Sequence, residues 1–449
     1  MNNDHSKNNG SSRREFLRQG SLLAGGIIAA PILSKANYFS GSDDAIKIAL
    51  VGCGGRGTGA ATQALLSKQN VRIIAMADAF RDNLDNCYNE LTSDEFAESL
   101  GGRDKLKLKV QVPEENKFTG FDAYQKAIAL ADVVILATPP GFRPIHFEEA
   151  IKQNKHVFME KPVATDPSGV QKVLAAAAIA KEKKLNVVVG LQRHYQNSYL
   201  ELFKRKDLIG DITSSQAWWN NDGVWVRPRK YNQTEMEYQM RNWYYFNWLC
   251  GDHINEQHIH NIDVINWFKG GYPVKAQGQG GRQVRKGKDH GEIFDHHYVE
   301  FTYADGSILN SQCRHIPGTM SRVDELLMGT KGKIKTGNGS ITDHKGKTLF
   351  QFDKKKENNP YQTEHDELFS AIAKDEYKFA DAENGARSTM TSILGRMATY
   401  SGQVLEWDKA INCGLNLQPR VYDWNALPQV VPDADGYYPI AIPGVTKYL

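Results

Sequence analysis

Residues 46–78 place the strongest limit on what this chain can fold into. The run IKIALVG at 46–52 is almost wholly apolar, which is typical of a strand buried in a parallel sheet. The glycine-rich segment GCGGRG at 52–57 follows at once, then a segment with helical periodicity, and then a second apolar run, VRIIAMAD at 71–78. Strand, glycines, helix, strand and a terminal acid, in that order, predict the first βαβ unit of a doubly wound α/β sheet.

The glycines fit the pattern GxGxxG, with Gly52, Gly54 and Gly57 at the three fixed positions. The first glycine permits a tight turn, the second lets a pyrophosphate approach the backbone, and the third lets the helix pack closely on the strand. The positive end of the helix would then face the phosphates. We therefore predict a dinucleotide site that also includes Gly55 and Arg56.

Asp78 ends the second strand, 21 residues after Gly57. A carboxylate in that position accepts hydrogen bonds from the adenosine ribose and repels a 2′-phosphate. NAD is therefore the predicted cofactor, and the nearby Arg81 keeps NADP open as an alternative.

Two later strands end in residues that we expect to line the cofactor cleft. The segment ADVVILATPP at 131–140 brings Thr138 and Pro139 to a strand end, and HVFMEKP at 156–162 brings Glu160 and Lys161 to another. Ligands of doubly wound sheets bind at the carboxyl ends of the strands, which is the basis of this expectation.

A second domain is predicted from about residue 166, because a chain of 449 residues is too long for one compact core. Alternating apolar residues at 297–315, with the turn signal Asp305-Gly306, predict antiparallel strands. The predicted fold class is α/β, with a Rossmann dinucleotide-binding domain at 45–165 and an α+β domain at 166–449 whose sheet is mostly antiparallel.

The amino terminus carries the pattern of an export signal. Arg13 and Arg14 precede the weakly apolar run at 21–33, which is too short to span a bilayer, and SKA at 34–36 offers small residues for a peptidase. We predict a twin-arginine signal peptide at 1–36, a linker at 37–44 and a periplasmic protein. A basic amphipathic tail is the alternative. No later segment is apolar enough to cross a membrane, so we do not expect an integral membrane protein.

Charge and cysteine content exclude several classes of partner. Residues 1–36 hold five of the 55 Lys and Arg residues and two of the 52 Asp and Glu residues, which leaves 50 of each and a formal charge of zero. The remaining chain therefore has no excess of basic residues of the kind that binds nucleic acid. The five cysteines form no CxxC pair, so neither a disulfide framework nor a zinc knuckle is indicated.

The segment HINEQHIHNID at 253–263 suggests either a metal site or a proton-transfer site. On a continuous helix, His258 faces the same side as the isoleucines, so we predict that it is packed. The opposite side carries the polar residues His253, Glu256, His260 and Asp263.

No metal is predicted at this segment, because a zinc-binding pair on a helix needs two histidines four residues apart on one face. A site shared by His253, Glu256 and His296 is the alternative. His260 fits the role of a general base, since an imidazole that titrates near neutrality can accept the proton of a hydroxyl group.

Five segments together resemble the glucose-fructose oxidoreductase, inositol dehydrogenase and MocA (Gfo/Idh/MocA) family, and the resemblance covers nearly the whole mature sequence. It implies a C-terminal domain with a large open sheet that is often used for oligomerisation, so a homo-oligomer is expected. It also implies hydride transfer between NAD(P) and a sugar or polyol hydroxyl, that is, an NAD(P)-dependent oxidoreductase. The segments are GCGGRG with Asp78, ATPP, EKP at 160–162, GLQRHY at 190–195 and EQHIHNID at 256–263.

The resemblance also implies three catalytic residues. The family's EKP lysine points at the substrate hydroxyl, which makes Lys161 the matching residue; an ammonium group there stabilises a developing alkoxide. The family's usual Asp-x-x-x-His is here Glu256-x-x-x-His260, with an acid that is one methylene longer. Whether Glu256 orients His260 or touches the substrate is therefore open.

Four further residues are predicted to contact the substrate, with a purely structural role open for each: Arg193, His194, Asp263 and His296. Five of the eight tryptophans fall between residues 218 and 248, and one or two of them are expected to face a sugar ring.

An exported nicotinamide enzyme has no free NAD pool, so its cofactor must stay bound through turnover. We therefore expect oxidation of a secondary hydroxyl of a sugar or glycoside, with ring carbon 3 favoured, and reoxidation of the bound cofactor by a second carbonyl substrate. One alternative is a redox-neutral NAD-dependent glycosidase that acts by transient oxidation and elimination. The other is a sugar-binding protein without turnover.

Overall fold

A computed structural model describes residues 44–448 of the chain. The predicted signal peptide at 1–36 and all but the last residue of the predicted linker lie outside the described residues, so both stay predictions. Within residues 44–448, no helix combines the length and the apolar character needed to cross a bilayer.

The first sheet consists of parallel strands that are almost wholly buried at its centre. Its strands are β1 (Ile46–Val51), β2 (Val71–Asp78), β3 (Lys117–Thr119), β4 (Val133–Leu136), β5 (His156–Met159) and β6 (Val187–Val189). Their order is β3-β2-β1-β4-β5-β6. The order reverses between β1 and β4, and ligands of such sheets bind at the carboxyl ends of the strands beside that point.

Helices follow or connect these strands: α1 (Gly55–Leu66), α2 (Arg81–Leu91), α3 (Asp94–Leu100), α4 (Arg103–Lys109), α5 (Ala123–Leu130), α6 (Arg143–Lys152) and α7 (Pro167–Glu182). The alanine-rich α7 is the crossover that a parallel strand requires, and it leads into β6. The first sheet therefore takes its last strand from beyond the domain boundary predicted after residue 165.

The second sheet lies in the C-terminal part of the chain. Its strands are β7 (Ile212–Asn221), β8 (Lys275–Gly281), β9 (His296–Thr302), β10 (Ile308–His315), β11 (Arg322–Gly329), β12 (Gly332–Lys335), β13 (Ser340–Asp343), β14 (Thr348–Gln351) and β15 (Leu405–Glu406). Their order is β14-β13-β12-β11-β7-β10-β9-β8-β15. Only the pair β7 and β10 is parallel among these neighbours, so the predicted α/β fold with a mostly antiparallel second sheet is confirmed.

The remaining helices are α8 (Asn197–Phe203), α9 (Glu235–Arg241), α10 (Asn247–Cys250), α11 (His253–Glu256), α12 (Ile259–Lys269), α13 (Pro360–Ala373), α14 (Ala382–Ser401) and α15 (Trp407–Ile411). Helix α14 is buried along nearly its whole length and packs on both α7 and the second sheet. Helix α13 returns to pack on α1. These two helices bring the C-terminal part of the chain against the Rossmann sheet.

Candidate active site

The glycine turn after β1 is shaped by close backbone contacts. A Cβ atom on Gly57 would lie 1.8 Å from the Gly52 carbonyl oxygen, and one on Gly52, whose φ is +97°, would lie 2.5 Å from the Thr138 nitrogen. A Cβ atom on Gly54 or Gly55 would meet nothing within 4 Å. The first and third glycines are thus required by packing, while the others border open space at the amino end of α1, where a pyrophosphate fits.

Asp78 is fixed at the end of β2 by backbone donors. Its Oδ2 accepts a hydrogen bond from the Cys53 amide (2.7 Å) and its Oδ1 accepts one from the Phe80 amide (2.9 Å). Burial raises the pKa of Asp78 from its ordinary value. Two carboxylate oxygens offer about four acceptor sites, so capacity remains for a ribose hydroxyl. Arg81 hydrogen-bonds to Asp85 instead, which fits NAD better than NADP.

The end of β4 is held by residues that the sequence patterns did not indicate. Arg143, which is 1% exposed, donates hydrogen bonds to the carbonyl oxygens of Leu136 (2.6 Å) and Thr138 (2.7 Å). The Thr138 hydroxyl hydrogen-bonds to His146 (3.2 Å). These bonds fix Thr138 and the following Pro139 beside the glycine turn, where a cofactor residue is expected.

Arg56 and Glu160, both predicted to bind the cofactor, form an ion pair with each other. The Arg56 guanidinium also lies 5.2 Å from the ring centroid of Tyr361. Burial opposes ionisation of Glu160, but Arg56 outweighs it and the pKa of Glu160 is lowered. The pair joins the glycine turn to the end of β5, and its contact with the cofactor stays a prediction.

Glu364 on α13 lies near this ion pair with neither carboxylate oxygen hydrogen-bonded to a described residue. Burial, and next the charge of Glu160, raise the pKa of Glu364 well above its ordinary value. No sequence pattern marked Glu364, because only the packing of α13 on α1 brings it here.

We expect Glu364→Met to stabilise the protein at pH 8. Below the ordinary pKa of 4.5 the folded and unfolded states are both protonated. Between 4.5 and the raised pKa of the folded state only the unfolded state ionises, so stability is lost as the pH rises through that window. Each pKa unit between the two states corresponds to about 1.4 kcal/mol. Thermal unfolding should show a Tm higher by several degrees at pH 8 and by much less at pH 5. A pH-independent change in Tm, or the same change in Glu367→Met, a control at a half-exposed glutamate of the same helix, would contradict this assignment.

Lys161 follows β5 and reaches across to Glu256. Its ammonium group donates hydrogen bonds to the Glu256 carbonyl oxygen and to Glu256 Oε1 (3.2 Å). The two side chains are 11% and 10% exposed. Burial raises the pKa of Glu256, although the charge of Lys161 opposes the shift. Glu256 Oε2 is buried without a hydrogen-bond partner among the described residues.

The histidine-rich segment is not the continuous helix assumed in the sequence analysis. Helix α11 ends at Glu256 and α12 begins at Ile259. The break leaves the Glu256 carbonyl oxygen available to Lys161. It also corrects the placement of His253, which is fully buried, hydrogen-bonds to Asp252 (2.7 Å) and stacks on His315, rather than sharing a face with His260.

His260 lies at the start of α12 with its ring stacked on Trp219, at a centroid distance of 5.9 Å. Its Nδ1 is buried and has no hydrogen-bond partner among residues 44–448. Burial, and next the charge of Lys161, hold the pKa of His260 well below its ordinary value. The imidazole is therefore neutral at neutral pH and able to accept a proton, but it titrates well below the neutral range that the sequence analysis assumed.

Three of the residues predicted to contact the substrate are bonded to other side chains of the protein. Arg193 forms a buried ion pair with Glu325 and contributes to the lowered pKa of His260. His194 hydrogen-bonds to Asp263 (2.7 Å), which also accepts a bond from Ser388 and is 1% exposed.

The other histidines of the region are placed separately. His296 hydrogen-bonds to the neighbouring Asp295 (2.8 Å) and has a half-exposed side chain. His258 is fully buried and hydrogen-bonds to Ser311 (2.7 Å), as its predicted packing requires.

The alternative metal site of His253, Glu256 and His296 is not assembled in the described part of the chain. The group that comes together is Asp252, His253 and His297, with ligand atoms within 4.8 Å of one another. Asp252 accepts hydrogen bonds on both oxygens, from His253 on one and from Tyr400 (2.6 Å) on the other. The hydrogen bonds that Asp252 accepts from His253 and Tyr400 therefore hold this cluster together.

Comparison with known proteins shows a family match for the first part of the chain. Residues 46–191 match the sequence model of GFO_IDH_MocA, described as an oxidoreductase family with an NAD-binding Rossmann fold. A 2,7-anhydro-N-acetylneuraminate hydratase of Escherichia coli is 25% identical over 211 residues, 46% of this chain and 51% of that protein. An inositol 2-dehydrogenase of Gluconacetobacter diazotrophicus is 29% identical over 160 residues, 35% of this chain and 41% of that protein. The chain spans about half the length, or less, of these curated relatives.

Solved structures extend the likeness in fold over most of the chain. The aldose-aldose oxidoreductase from Caulobacter crescentus matches with a TM-score of 0.60 and 15% identity, over 81% of this chain and 99% of that one. The scyllo-inositol dehydrogenase from Lactobacillus casei, with bound NAD(H) and scyllo-inositol, matches with a TM-score of 0.59 and 19% identity, over 81% and 100%. At sequence identities this low, the two matches show a shared fold and nothing more. Residues 46–191 of this chain are thus similar to the Gfo/Idh/MocA family of oxidoreductases, which is described by an NAD-binding Rossmann fold.

Proposed function

We propose that this protein is an NAD-dependent oxidoreductase that oxidises a secondary hydroxyl group of a sugar or glycoside. The observation that carries the proposal is the pairing of Lys161 with Glu256 at the end of β5, next to the neutral His260. A positioned ammonium group and a positioned neutral imidazole are what the oxidation of an alcohol needs.

Each of these residues has a defined task. NAD, when bound, supplies the hydride acceptor. Lys161 donates a hydrogen bond to the reacting oxygen and stabilises the alkoxide that develops as the carbon loses hydride. His260 accepts the hydroxyl proton at a ring nitrogen, which leaves a carbonyl group on the substrate. Glu256 holds Lys161 through both its carbonyl and its carboxylate oxygen.

The relatives support a ring-shaped polyhydroxy substrate, because they are named for inositol and for 2,7-anhydro-N-acetylneuraminate. We propose ring carbon 3 of a sugar or glycoside as the position of attack. We also propose that the protein is exported by the twin-arginine route with its cofactor already bound, and that a second carbonyl substrate restores NAD.

The similarity to a hydratase supports a second candidate function. In that case the same residues would catalyse a redox-neutral reaction, in which transient oxidation acidifies the neighbouring C–H bond and permits elimination of the aglycone. Water would then add to the double bond, and return of the hydride to the carbonyl group would restore the sugar. The first candidate predicts a ketosugar as the product, and the second predicts a free aglycone with an unmodified sugar.

Mass spectrometry of the purified protein tests both candidates. We expect NAD or NADH in near one-to-one ratio with the chain, and ketosugar formation when the holoenzyme is given a panel of glycosides together with a carbonyl acceptor. Protein that carries no nucleotide and freely releases the NADH it forms would contradict the retained-cofactor cycle. Release of aglycone without a ketosugar would favour the glycosidase.

A further inference from the structure

We infer that residues 417–426, here called the closing segment, form the outer wall of the adenosine subsite and retain the cofactor. The inference rests on the proposed function, because it assumes that NAD binds at the glycine turn. It concerns a part of the chain outside residues 46–191, the range that matches the family.

The position of the adenine follows from Asp78. The ribose that bonds to Asp78 carries the adenine ring, so the ring must lie next to the end of β2. Phe80 follows there, and Phe121 follows β3, the neighbouring strand. Both aromatic rings are only partly buried, so they offer apolar surface on which a base can stack.

The closing segment lies directly against these rings. The Trp424 ring is centred 5.1 Å from that of Phe80 and 4.6 Å from that of Phe121. The Tyr422 ring is centred 6.0 Å from that of Phe121 and 5.4 Å from that of Phe142, which follows β4. Tyr422 and Trp424 thus bridge the ends of the strands between which a dinucleotide lies.

Hydrogen bonds to buried residues anchor the start of the closing segment. The Leu417 amide donates to the Asp166 carboxylate (2.9 Å), and the Gln418 side chain donates to the Thr165 hydroxyl (3.0 Å). The Tyr422 hydroxyl donates to the Gln418 side-chain oxygen (3.2 Å). Because Thr165 and Asp166 are almost fully buried, the segment is attached to the body of the protein just after the EKP motif.

Arg241, the last residue of helix α9, also covers Phe80. Arg241 donates two hydrogen bonds to Asp82 (2.8 and 3.0 Å), and its guanidinium lies 3.7 Å from the Phe80 ring centroid. The chain after the closing segment reaches the same helix, where Gln239 donates to the Val430 carbonyl oxygen (2.8 Å). Release of the adenosine half therefore requires the closing segment to detach from neighbours on both sides.

Cofactor exchange tests this inference with a readout that does not depend on turnover. Wild-type holoenzyme, Trp424→Ala, Trp424→Phe and a control, Tyr231→Ala, which removes a ring that is 94% exposed, are incubated with excess isotopically labelled NAD. Mass spectrometry then follows replacement of the bound nucleotide. We expect exchange about tenfold faster or more in Trp424→Ala, with wild-type rates in the control and near wild-type rates in Trp424→Phe, because loss of one stacking partner corresponds to about that factor.

The outcomes separate this inference from the proposed function. A wild-type exchange rate in Trp424→Ala, measured on protein with the wild-type melting temperature, would overturn the role of the closing segment and leave the proposed function standing. Wild-type protein that neither carries nor binds NAD would overturn both. If Trp424→Ala melts early, Trp424→Phe combined with Tyr422→Leu provides the same comparison.

Discussion

Lys161→Met is expected to lower kcat by about three orders of magnitude while NAD stays bound. Methionine keeps most of the length of the side chain but cannot donate a hydrogen bond to the reacting oxygen, and loss of one such donor costs about 10² to 10³ in rate. Glu256 is then a buried acid without its cationic partner, so its raised pKa should rise further. Steady-state formation of the ketosugar, normalised to bound nucleotide, measures the change in kcat.

Lys172→Met is the matched control, because Lys172 is a partly exposed lysine that pairs with Glu148 (2.9 Å) and lies outside the site. It should leave kcat within about twofold of wild type, as expected for an exposed ion pair. If Lys161→Met kept more than about a tenth of the wild-type kcat, Lys161 would not be the group that stabilises the alkoxide.

The Rossmann half of the protein could be predicted because its signals are local. Gly52 and Gly57 contact each other within one βαβ unit, and the structure shows the clash that any side chain at Gly57 would cause. Asp78 ends β2 and Lys161 follows the end of β5, and in a parallel sheet all carboxyl ends meet at one edge. Sequence order alone was therefore enough to place these residues at that edge of the sheet.

The substrate side of the site could not be predicted as fully, because it is formed by contacts between residues that are far apart in the sequence. Lys161 meets Glu256, which lies 95 residues further along the chain, and it does so through a carbonyl oxygen that a continuous helix would have occupied. Neither glycine nor proline marks the break after Glu256, so periodicity could not reveal it, and the position of His253 was wrong as a result. Glu364 and Trp424 come from still later segments, and only the packing of α13 and of the closing segment brings them to the cleft.

Two histidines of the same segment are expected to respond in opposite ways to substitution by glutamine. His260→Gln removes the proposed base, and we expect kcat/KM to fall by about 10² to 10⁴. Its melting temperature should change little, because no described residue hydrogen-bonds to His260 Nδ1. His258→Gln instead disturbs a fully buried ring that hydrogen-bonds to Ser311, so it should lower the melting temperature by several degrees and leave kcat within about threefold.

The pH profile identifies the base more specifically than the loss of rate. Because the pKa of His260 lies well below its ordinary value of 6.5, the neutral form persists into the acid range. Wild-type kcat/KM should therefore stay level as the pH falls through 6.5 and decline only well below it, as the imidazole becomes protonated. In His260→Gln this acid limb should disappear, while in His258→Gln it should be unchanged. Persistence of the acid limb in His260→Gln would assign the titrating base to another group, and Glu256 Oε2, buried without a described partner, would be the first to test.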